Sequence, residues 1–170
     1  MTCGFPIELL FMRHGRTAWN DAGLTMGQTD VGLSSEGRRE VHAIIPDLSE
    51  YEFDFIAYSP LRRCSETASA ISKEFGTEYR SFPGFKERSW GMYEGLPKSE
   101  RGREADLKGG ETNRAFAERI AFALRTLPLS KRILLVSHSG VFRQMCDFGY
   151  RQLHKAPQLP HAFPIELKLQ

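Results

Sequence analysis

The sequence predicts an α/β fold: a single doubly wound, mainly parallel sheet flanked by helices. Two observations lead to this prediction. Three short runs are almost continuously apolar, as expected for parallel strands covered on both faces, and amphipathic helical periods lie between them. At 170 residues the chain is within the range of one domain, so we expect residues 1–170 to form a single domain.

The predicted strands are short, and a turn signal follows each of the three strongest. These three are residues 7–12, 53–58 and 133–136. Each is followed within a few residues by glycine or proline, which ends a strand in a tight turn. A weaker strand is predicted near residues 77–82 and a last one at 163–169.

Helices are predicted between the strands from apolar residues that recur at helical spacing. Pro46 should kink or shorten the first helix. Ser59 and Pro60 are expected at the start of the second helix, with proline at its first position. A fourth helix is expected after Ser139-Gly140. The apolar faces of the first three are Val41, Ile44, Ile45, Leu48; Leu61, Cys64, Ala68, Ile71, Phe75; and Phe116, Ile120, Leu124, Leu127.

Composition excludes several classes of protein. The net charge of +2 provides no strong field for nucleic acid or an anionic membrane. Three cysteines at wide spacings suit neither a disulfide framework nor a CxxC-type metal site. The apolar run near the N-terminus is too short to span a bilayer and has no cleavage site. We therefore expect a cytoplasmic protein with no nucleic-acid or membrane partner, and its oligomeric state stays open.

Polar residues follow three of the predicted strands. His14 follows the first strand, Arg63 lies near the start of the helix after the second, and His138 follows the strand 133–136. The carboxyl ends of parallel strands meet at one edge of a sheet, where ligands bind. Histidine, arginine and helix N-terminal amides at one point suit a phosphoryl group.

Simpler interpretations exist for each of these residues. A histidine at a strand end is often only a hydrogen-bonded structural residue. Arg62 and Arg63 could form a solvated helix start. Glu87 and Glu94 could be surface charges, and the tryptophans Trp19 and Trp90 are more simply explained as packing residues.

Five segments, in order along the chain, resemble the motifs of the histidine phosphatase superfamily, in its phosphoglycerate-mutase-like branch. Residues 12–20 (MRHGRTAWN) resemble its RHG signature, and residues 59–68 (SPLRRCSETA) resemble its second motif. Residues 87–95 resemble the loop that carries the acid, residues 110–112 (GET) a short GES-like motif, and residues 137–141 (SHSGV) the second histidine motif. The resemblance covers nearly the whole chain.

The resemblance implies a reaction and the residues that perform it. His14 would attack phosphorus and become a phosphohistidine, with its other ring nitrogen donating to a fixed acceptor such as a backbone carbonyl. Arg13, Arg63 and His138 would surround the phosphoryl oxygens, and Glu87 would be the general acid and base. No metal or cofactor is implied, because the arginines supply the positive charge.

The resemblance also implies residues that contact the substrate, a small-molecule phosphate ester. They are Asn20, Thr17, Ser139 and Glu94, of which Glu94 is equally compatible with a structural role. The long loops 22–35 and 83–111 are expected to be functional, since structureless loops of this length are uncommon. They contain charges of both signs and no pattern that identifies the substrate.

Three other functions are alternatives to this one. A serine hydrolase is disfavoured because residue 137, two before Ser139, is serine and not the glycine of a GxSxG motif. A catalytically inactive phospholigand-binding module is possible on the same fold. A phosphoglycerate-mutase-type phosphotransferase is disfavoured because only residues 96–109, half of them charged, lie between Gly95 and Gly110, where the family's mutases carry a much longer insertion.

Overall fold

The computed structural model describes residues 4–102, 109–154 and 159–170. A six-stranded sheet forms its centre, with strand order β3-β2-β4-β1-β6-β5. The strands are β1 (Glu8–Arg13), β2 (Phe55–Tyr58), β3 (Tyr79–Ser81), β4 (Ile133–Ser137), β5 (Tyr150–Gln152) and β6 (Pro164–Leu169). The mixed α/β fold with a mostly parallel sheet is confirmed, and none of the described helices is long and apolar enough to cross a membrane.

Helices connect the strands and cover the sheet. They are α1 (Ala18–Asp21), α2 (Ser35–Ile44), α3 (Arg62–Phe75), α4 (Asn113–Arg125) and α5 (Ser139–Asp147). Short 3₁₀ helices lie at Pro46–Glu50, Pro83–Phe85, Gly91–Tyr93 and Lys98–Glu100. As predicted, α2 ends just before Pro46, because proline has no N–H for the helical ladder, and a 3₁₀ turn continues the chain.

The four neighbouring strands β3, β2, β4 and β1 are parallel, whereas β6 pairs antiparallel with β1 and β5 antiparallel with β6. In the register of the two central strands, Leu10 pairs with Leu134 and Arg13 with Ser137. Strand β5 and helix α1 were missed by the sequence analysis. Both have only three or four residues, too few to show a period.

Two hydrophobic clusters cover the two faces of the sheet. Leu9 and Phe11 of β1 point into the cluster that includes α4 and α5, and Leu10 and Met12 point into the cluster that includes α3. The alternation of strand side chains explains this division. Because both faces are buried, β1 and β4 are apolar throughout their middle positions.

Helix α3 begins two residues later than predicted. Its N-cap is Leu61, which makes no side-chain capping bond, and Arg62 is the first helical residue. Pro60 therefore lies outside the helix. The side chain of Ser59 is used elsewhere, in a hydrogen bond between its Oγ and Nε2 of His138 at 2.8 Å. Because the Ser59 hydroxyl bonds His138, it does not cap the helix, and the helix start predicted from Ser59 and Pro60 is wrong.

The two long loops lie against each other over one end of the sheet. Thr25 N donates to Leu96 O at 2.8 Å, Lys98 N donates to Gly23 O at 2.9 Å, and Leu24 pairs with Pro97 in an isolated bridge. Four of the charged residues in the second loop, Arg103, Glu104, Asp106 and Lys108, lie outside the described residues.

Candidate active site

The register of the central strands brings the two predicted histidines together. Arg13 and Ser137 are paired in the sheet, so the residues that follow them, His14 and His138, leave the same edge side by side. The backbone N–H of His14 donates to Ser137 O at 3.0 Å. The two imidazole rings meet edge to face with centroids 5.3 Å apart.

His14 is buried, and one tautomer explains its contacts. Its Nδ1 lies 2.7 Å from the carbonyl oxygen of Gly15. A carbonyl only accepts, so Nδ1 carries the proton and Nε2 keeps its lone pair. Burial, followed by the charges of Arg63 and Arg13, lowers the pKa of His14 well below the usual value for histidine. The ring is therefore neutral at neutral pH, as a nucleophile requires.

Arg63 lies close to the two histidines, and it is only 1% exposed. Its Nε donates to Nδ1 of His138 at 3.3 Å, and its terminal nitrogens donate to Thr29 O at 3.0 Å and Gly27 O at 2.7 Å. A guanidinium has five N–H groups, so two remain for a ligand. Burial lowers its pKa.

Arg62 has the opposite environment. It is exposed, and its guanidinium reaches Glu66 of the next turn at 3.3 Å. Of the two arginines in the second motif, Arg63 is thus the buried one and Arg62 the exposed one.

His138 has a protein partner at each ring nitrogen. Arg63 donates to its Nδ1, so its Nε2 carries the proton and donates to Oγ of Ser59. The buried thiol of Cys64 lies 3.5 Å from the same Nε2. A contact between His138 and a phosphoryl oxygen requires one of these hydrogen bonds to be exchanged.

Arg13 provides a second guanidinium at the end of β1. Its Nη1 donates to Leu159 O at 3.3 Å, whereas its buried Nε has no hydrogen-bond partner among the described residues. Burial lowers the pKa of Arg13 to about 10, so the group stays positively charged at neutral pH. A buried donor without a partner is costly and fits a site built for an anion.

The carboxylate of Glu87 lies at the N-terminus of α5. Its Oε2 accepts from the N–H of Gly140 at 3.0 Å, and its Oε1 accepts from the N–H of Arg88 at 2.9 Å. A Cβ at residue 140 would collide with Glu87, so glycine leaves room for the acid.

The loop that carries Glu87 is held in place by an arginine of α4. Arg119 of α4 donates to the backbone oxygens of Gly84, Lys86 and Glu87, and it forms an ion pair with Glu111 at 2.7 Å. Glu111 belongs to the GET segment of the sequence. Through its ion pair with Arg119, this motif therefore stabilises the loop that carries Glu87, and its residues do not line the cavity.

The predicted substrate-binding residues divide into two groups. Asn20 and Ser139 line the cavity. Thr17 and Glu94 do not, which corrects their prediction as substrate contacts. Thr17 is fully buried and forms a reciprocal capping box with Asn20 at the start of α1.

Glu94 connects the two long loops. Its carboxylate accepts from the backbone N–H groups of Gln28, Thr29 and Trp90 at 2.8–3.0 Å, and from the hydroxyl of Thr29 at 2.6 Å. Its four donors are all protein groups, so its role is structural, as the alternative interpretation held.

Basic residues that the sequence analysis did not assign line the outer part of the cavity, whose volume is about 530 Å³. They are Arg88, Lys98, Arg101 and Arg143. The guanidinium carbons of Arg101 and Arg88 lie 4.0 and 4.6 Å from the ring centroid of Trp90. Trp90 is thus part of the cavity wall and packs there against the two arginines. Arg88, Lys98 and Arg101 are isolated charges in a loop that carries both signs, and Arg143 lies on α5, so the sequence contained no signal for this arrangement.

The cavity thus brings together two buried histidines, two guanidinium groups and a carboxylate at a helix N-terminus, a set of groups that suits an anionic ligand such as a phosphoryl group. The model of the histidine phosphatase superfamily (branch 1) matches residues 9–164. The chain belongs to this superfamily.

Relatives of the chain include both phosphatases and mutases. A metal-independent phosphoserine phosphatase from Arabidopsis thaliana is 33% identical over 156 residues, which cover 80% of this chain and 66% of that protein. The crystal structure of phosphoglycerate mutase from Thermus thermophilus has a TM-score of 0.73 at 28% identity, covering 94% of this chain and 91% of that one. A mycobacterial glucosyl-3-phosphoglycerate phosphatase in complex with VO₃ has a TM-score of 0.69 at 26% identity, covering 82% of this chain and 79% of that one.

Proposed function

We propose that this protein is a metal-independent phosphatase that hydrolyses a phosphate monoester through a phosphohistidine on His14, with Glu87 as general acid and base. The observation that carries the proposal is the 2.7 Å hydrogen bond from Nδ1 of His14 to Gly15 O. It leaves Nε2 unprotonated beside two guanidinium groups. This is the arrangement that an imidazole nucleophile needs toward an anionic phosphoryl group.

In the first step, Nε2 of His14 attacks phosphorus and the bond from phosphorus to the ester oxygen breaks. Glu87 gives its proton to the leaving oxygen. Arg13 and Arg63 bind the equatorial oxygens of the phosphoryl group, and His138 lies beside these oxygens with them. Preorganised donors of this kind stabilise charge in the transition state without having to reorganise.

In the second step, water attacks the phosphohistidine. The carboxylate of Glu87 takes a proton from the water, the bond between phosphorus and Nε2 breaks, and inorganic phosphate leaves. His14 returns to its starting tautomer because Nδ1 keeps its proton and its hydrogen bond to Gly15 O throughout. The donors of Glu87 are backbone amides, so the carboxylate stays in place for both steps.

The net positive charge of the cavity lining favours a substrate that carries a second anionic group besides the phosphoryl group. Two carboxylates, Glu87 and Asp147, face six cationic side chains in its described lining: Arg13, Arg63, Arg88, Lys98, Arg101 and Arg143. A single phosphoryl group leaves this excess only partly neutralised. The phosphoserine phosphatase relative makes phosphoserine, whose carboxylate is such a group, a natural member of the test panel.

Trapping the intermediate tests the proposal. Denaturation during turnover of a labelled ester should recover label that is acid-labile and base-stable, as a phosphoramidate is, and His14→Ala should abolish it. Label on the His14→Ala protein would show that another residue is the nucleophile. Activity should persist in excess chelator, and vanadate should inhibit by imitating pentacoordinate phosphorus.

The role of Glu87 is tested by the leaving group. Glu87→Gln should slow hydrolysis of alkyl phosphates by about 10²-fold or more, because their leaving oxygen needs a proton. A nitrophenyl ester should lose much less. A comparable loss for both esters in the rate of phosphoenzyme formation would exclude Glu87 as the acid.

A further inference from the structure

The segment Leu159, His161 and Ala162 returns to the end of β1 and binds the backbone on either side of the nucleophile. Ala162 N donates to Arg13 O at 2.9 Å, and Nδ1 of His161 lies 2.9 Å from His14 O. Nη1 of Arg13 reaches back to Leu159 O at 3.3 Å. The motifs in the sequence do not account for this segment.

His161 is present in one protonation state and one tautomer. Burial, together with Arg13, lowers its pKa to about 4, so the ring is neutral at neutral pH. A carbonyl oxygen only accepts, so Nδ1 carries the proton and donates to His14 O. The ring also lies edge-on to His14, with centroids 5.4 Å apart.

The backbone next to His161 is strained. Ala162 has a φ of +44°, and among the described residues it is the one non-glycine in the left-handed region. Such a conformation is unfavourable for alanine and persists where the surroundings enforce it. The hydrogen bond to Arg13 O and the buried position of the Ala162 side chain provide that enforcement.

The peptide between His14 and Gly15 is held at both of its polar atoms. Its carbonyl, on His14, accepts from His161, and its N–H, on Gly15, donates to Oγ1 of Thr67 at 3.2 Å. The next carbonyl along the chain, Gly15 O, is the acceptor for Nδ1 of His14. Glycine has no Cβ to restrict its rotation, so the direction of its carbonyl depends on these hydrogen bonds and on the one from Arg16 N to Oε2 of Glu40 at 3.2 Å.

We infer that His161 is a positioning residue. By donating to the His14 carbonyl, it holds the following Gly15 carbonyl under Nδ1 of His14 and so keeps His14 in the tautomer with Nε2 free. This inference rests on the proposed role of His14 as the nucleophile. His161 itself does not line the cavity, so it acts through the backbone and not on the substrate.

Three variants separate the hydrogen bond from the bulk of the ring. In His161→Asn the side-chain amide can take the place of Nδ1 and donate to the same carbonyl. In His161→Gln the amide reaches the place of Nε2 instead, and His161→Ala has no donor. Exposed His154, replaced by alanine, is the matched control.

The first measurement is the His14 tautomer in the free protein, read from two-bond ¹⁵N–¹H correlations of the imidazole. Wild type, His161→Asn and His154→Ala should show the Nδ1–H form. His161→Ala and His161→Gln should show a mixture of tautomers. An unchanged tautomer in His161→Ala overturns the inference, whatever the activity.

The second measurement is the rate of phosphoenzyme formation. Loss of one buried hydrogen bond predicts a decrease of about tenfold in His161→Ala, with inhibition by inorganic phosphate unchanged and recovery in His161→Asn. A merely structural role would instead lower stability in all three variants together and leave the rate of the folded fraction unchanged. A wild-type protein without phosphoenzyme would refute the proposed function, whereas the tautomer measurement still decides the role of His161.

Discussion

The two arginines that begin helix α3 show how strongly the environment of a single residue decides its role. Arg63 is 1% exposed and has a partner at every nitrogen of its guanidinium group. Arg62, one residue earlier, has an exposed side chain that pairs with Glu66 on the helix surface. Exposed ion pairs of this kind contribute little to stability.

Substitution of these two residues should therefore have very different effects. Arg63→Ala should lower kcat/KM by about 100-fold or more, because it removes a preorganised donor of the phosphoryl group. Arg62→Ala should change kcat/KM by less than about twofold. Steady-state kinetics of the two purified variants checks this, with thermal unfolding as a measure of folding. If Arg62→Ala has the larger effect, the register assigned to the second motif is incorrect.

At the level of elements, the two long loops are joined by backbone hydrogen bonds and, closer to the cavity, by the carboxylate of Glu94. Glu94 accepts two backbone hydrogen bonds and one hydroxyl hydrogen bond from residues 28 and 29, and a further one from Trp90. The same loops provide Met26, Gly27, Glu87 and Trp90 to the cavity wall. The shape of the substrate site therefore depends on a residue outside the cavity.

Glu94→Gln should loosen this connection. An amide has only one accepting atom and places an NH₂ group against N–H donors, which should cost about 1–3 kcal/mol. We expect a lower free energy of unfolding in urea and faster proteolysis within residues 22–35. Glu100→Gln, at an exposed carboxylate, is the control and should change neither. Equal protease sensitivity of the two variants would argue against Glu94 as the connection between the loops.

At the level of the whole molecule, three neutral histidines, two buried and one partly buried, make stability depend on pH. Burial is the main cause that lowers the pKa of His14, His138 and His161, the last to about 4. In the unfolded chain a histidine titrates near pH 6.5. Below that pH the unfolded state binds more protons than the folded state, so stability is complete above about pH 7 and decreases as the pH falls.

Between pH 7.5 and 5.5, each of these histidines should cost about 1.4 kcal/mol of stability, or about 4 kcal/mol for the three. Urea unfolding at the two pH values measures the difference. His161→Asn should reduce it by about a third, and His154→Ala should not reduce it. A His161→Asn protein with the wild-type pH difference would show that His161 does not stay neutral in the folded state at pH 5.5.

The balance between hydrolysis and transfer is also a property of the whole site. A mutase must exclude water from the phosphoenzyme long enough for its intermediate to turn around. Here only residues 96–109 separate Gly95 from Gly110, and their described part contributes Lys98 and Arg101 to the cavity wall, both cationic side chains. Since half of this segment is charged by sequence, we expect it to provide little apolar cover over His14.

We therefore predict release of inorganic phosphate, no requirement for bisphosphoglycerate, and little or no interconversion of 3- and 2-phosphoglycerate. Phosphate release and mutase activity, measured side by side on phosphoglycerate and phosphoserine, check this. A phosphoenzyme that persists for minutes in water yet is discharged rapidly by phosphoglycerate would identify the protein as a mutase instead.

Local sequence determined the architecture and the chemical groups of the reaction. Strands buried on both faces need continuous apolar runs, and residues at the carboxyl ends of neighbouring parallel strands must meet. The positions of β1, β2 and β4 and the pairing of His14 with His138 could therefore be predicted. The short elements α1 and β5 could not, because they contain too few residues for a period.

Only the tertiary structure decided what each polar group binds. Ser59 has the residue type of a helix cap but forms a hydrogen bond with His138. Thr17 and Glu94 were predicted to contact substrate, but their side chains form hydrogen bonds within the protein. His161 and His14 are 147 residues apart in the chain, and no local pattern connects them. Hydrogen bonds are short-range and directional, so their partners are determined only once the chain has folded.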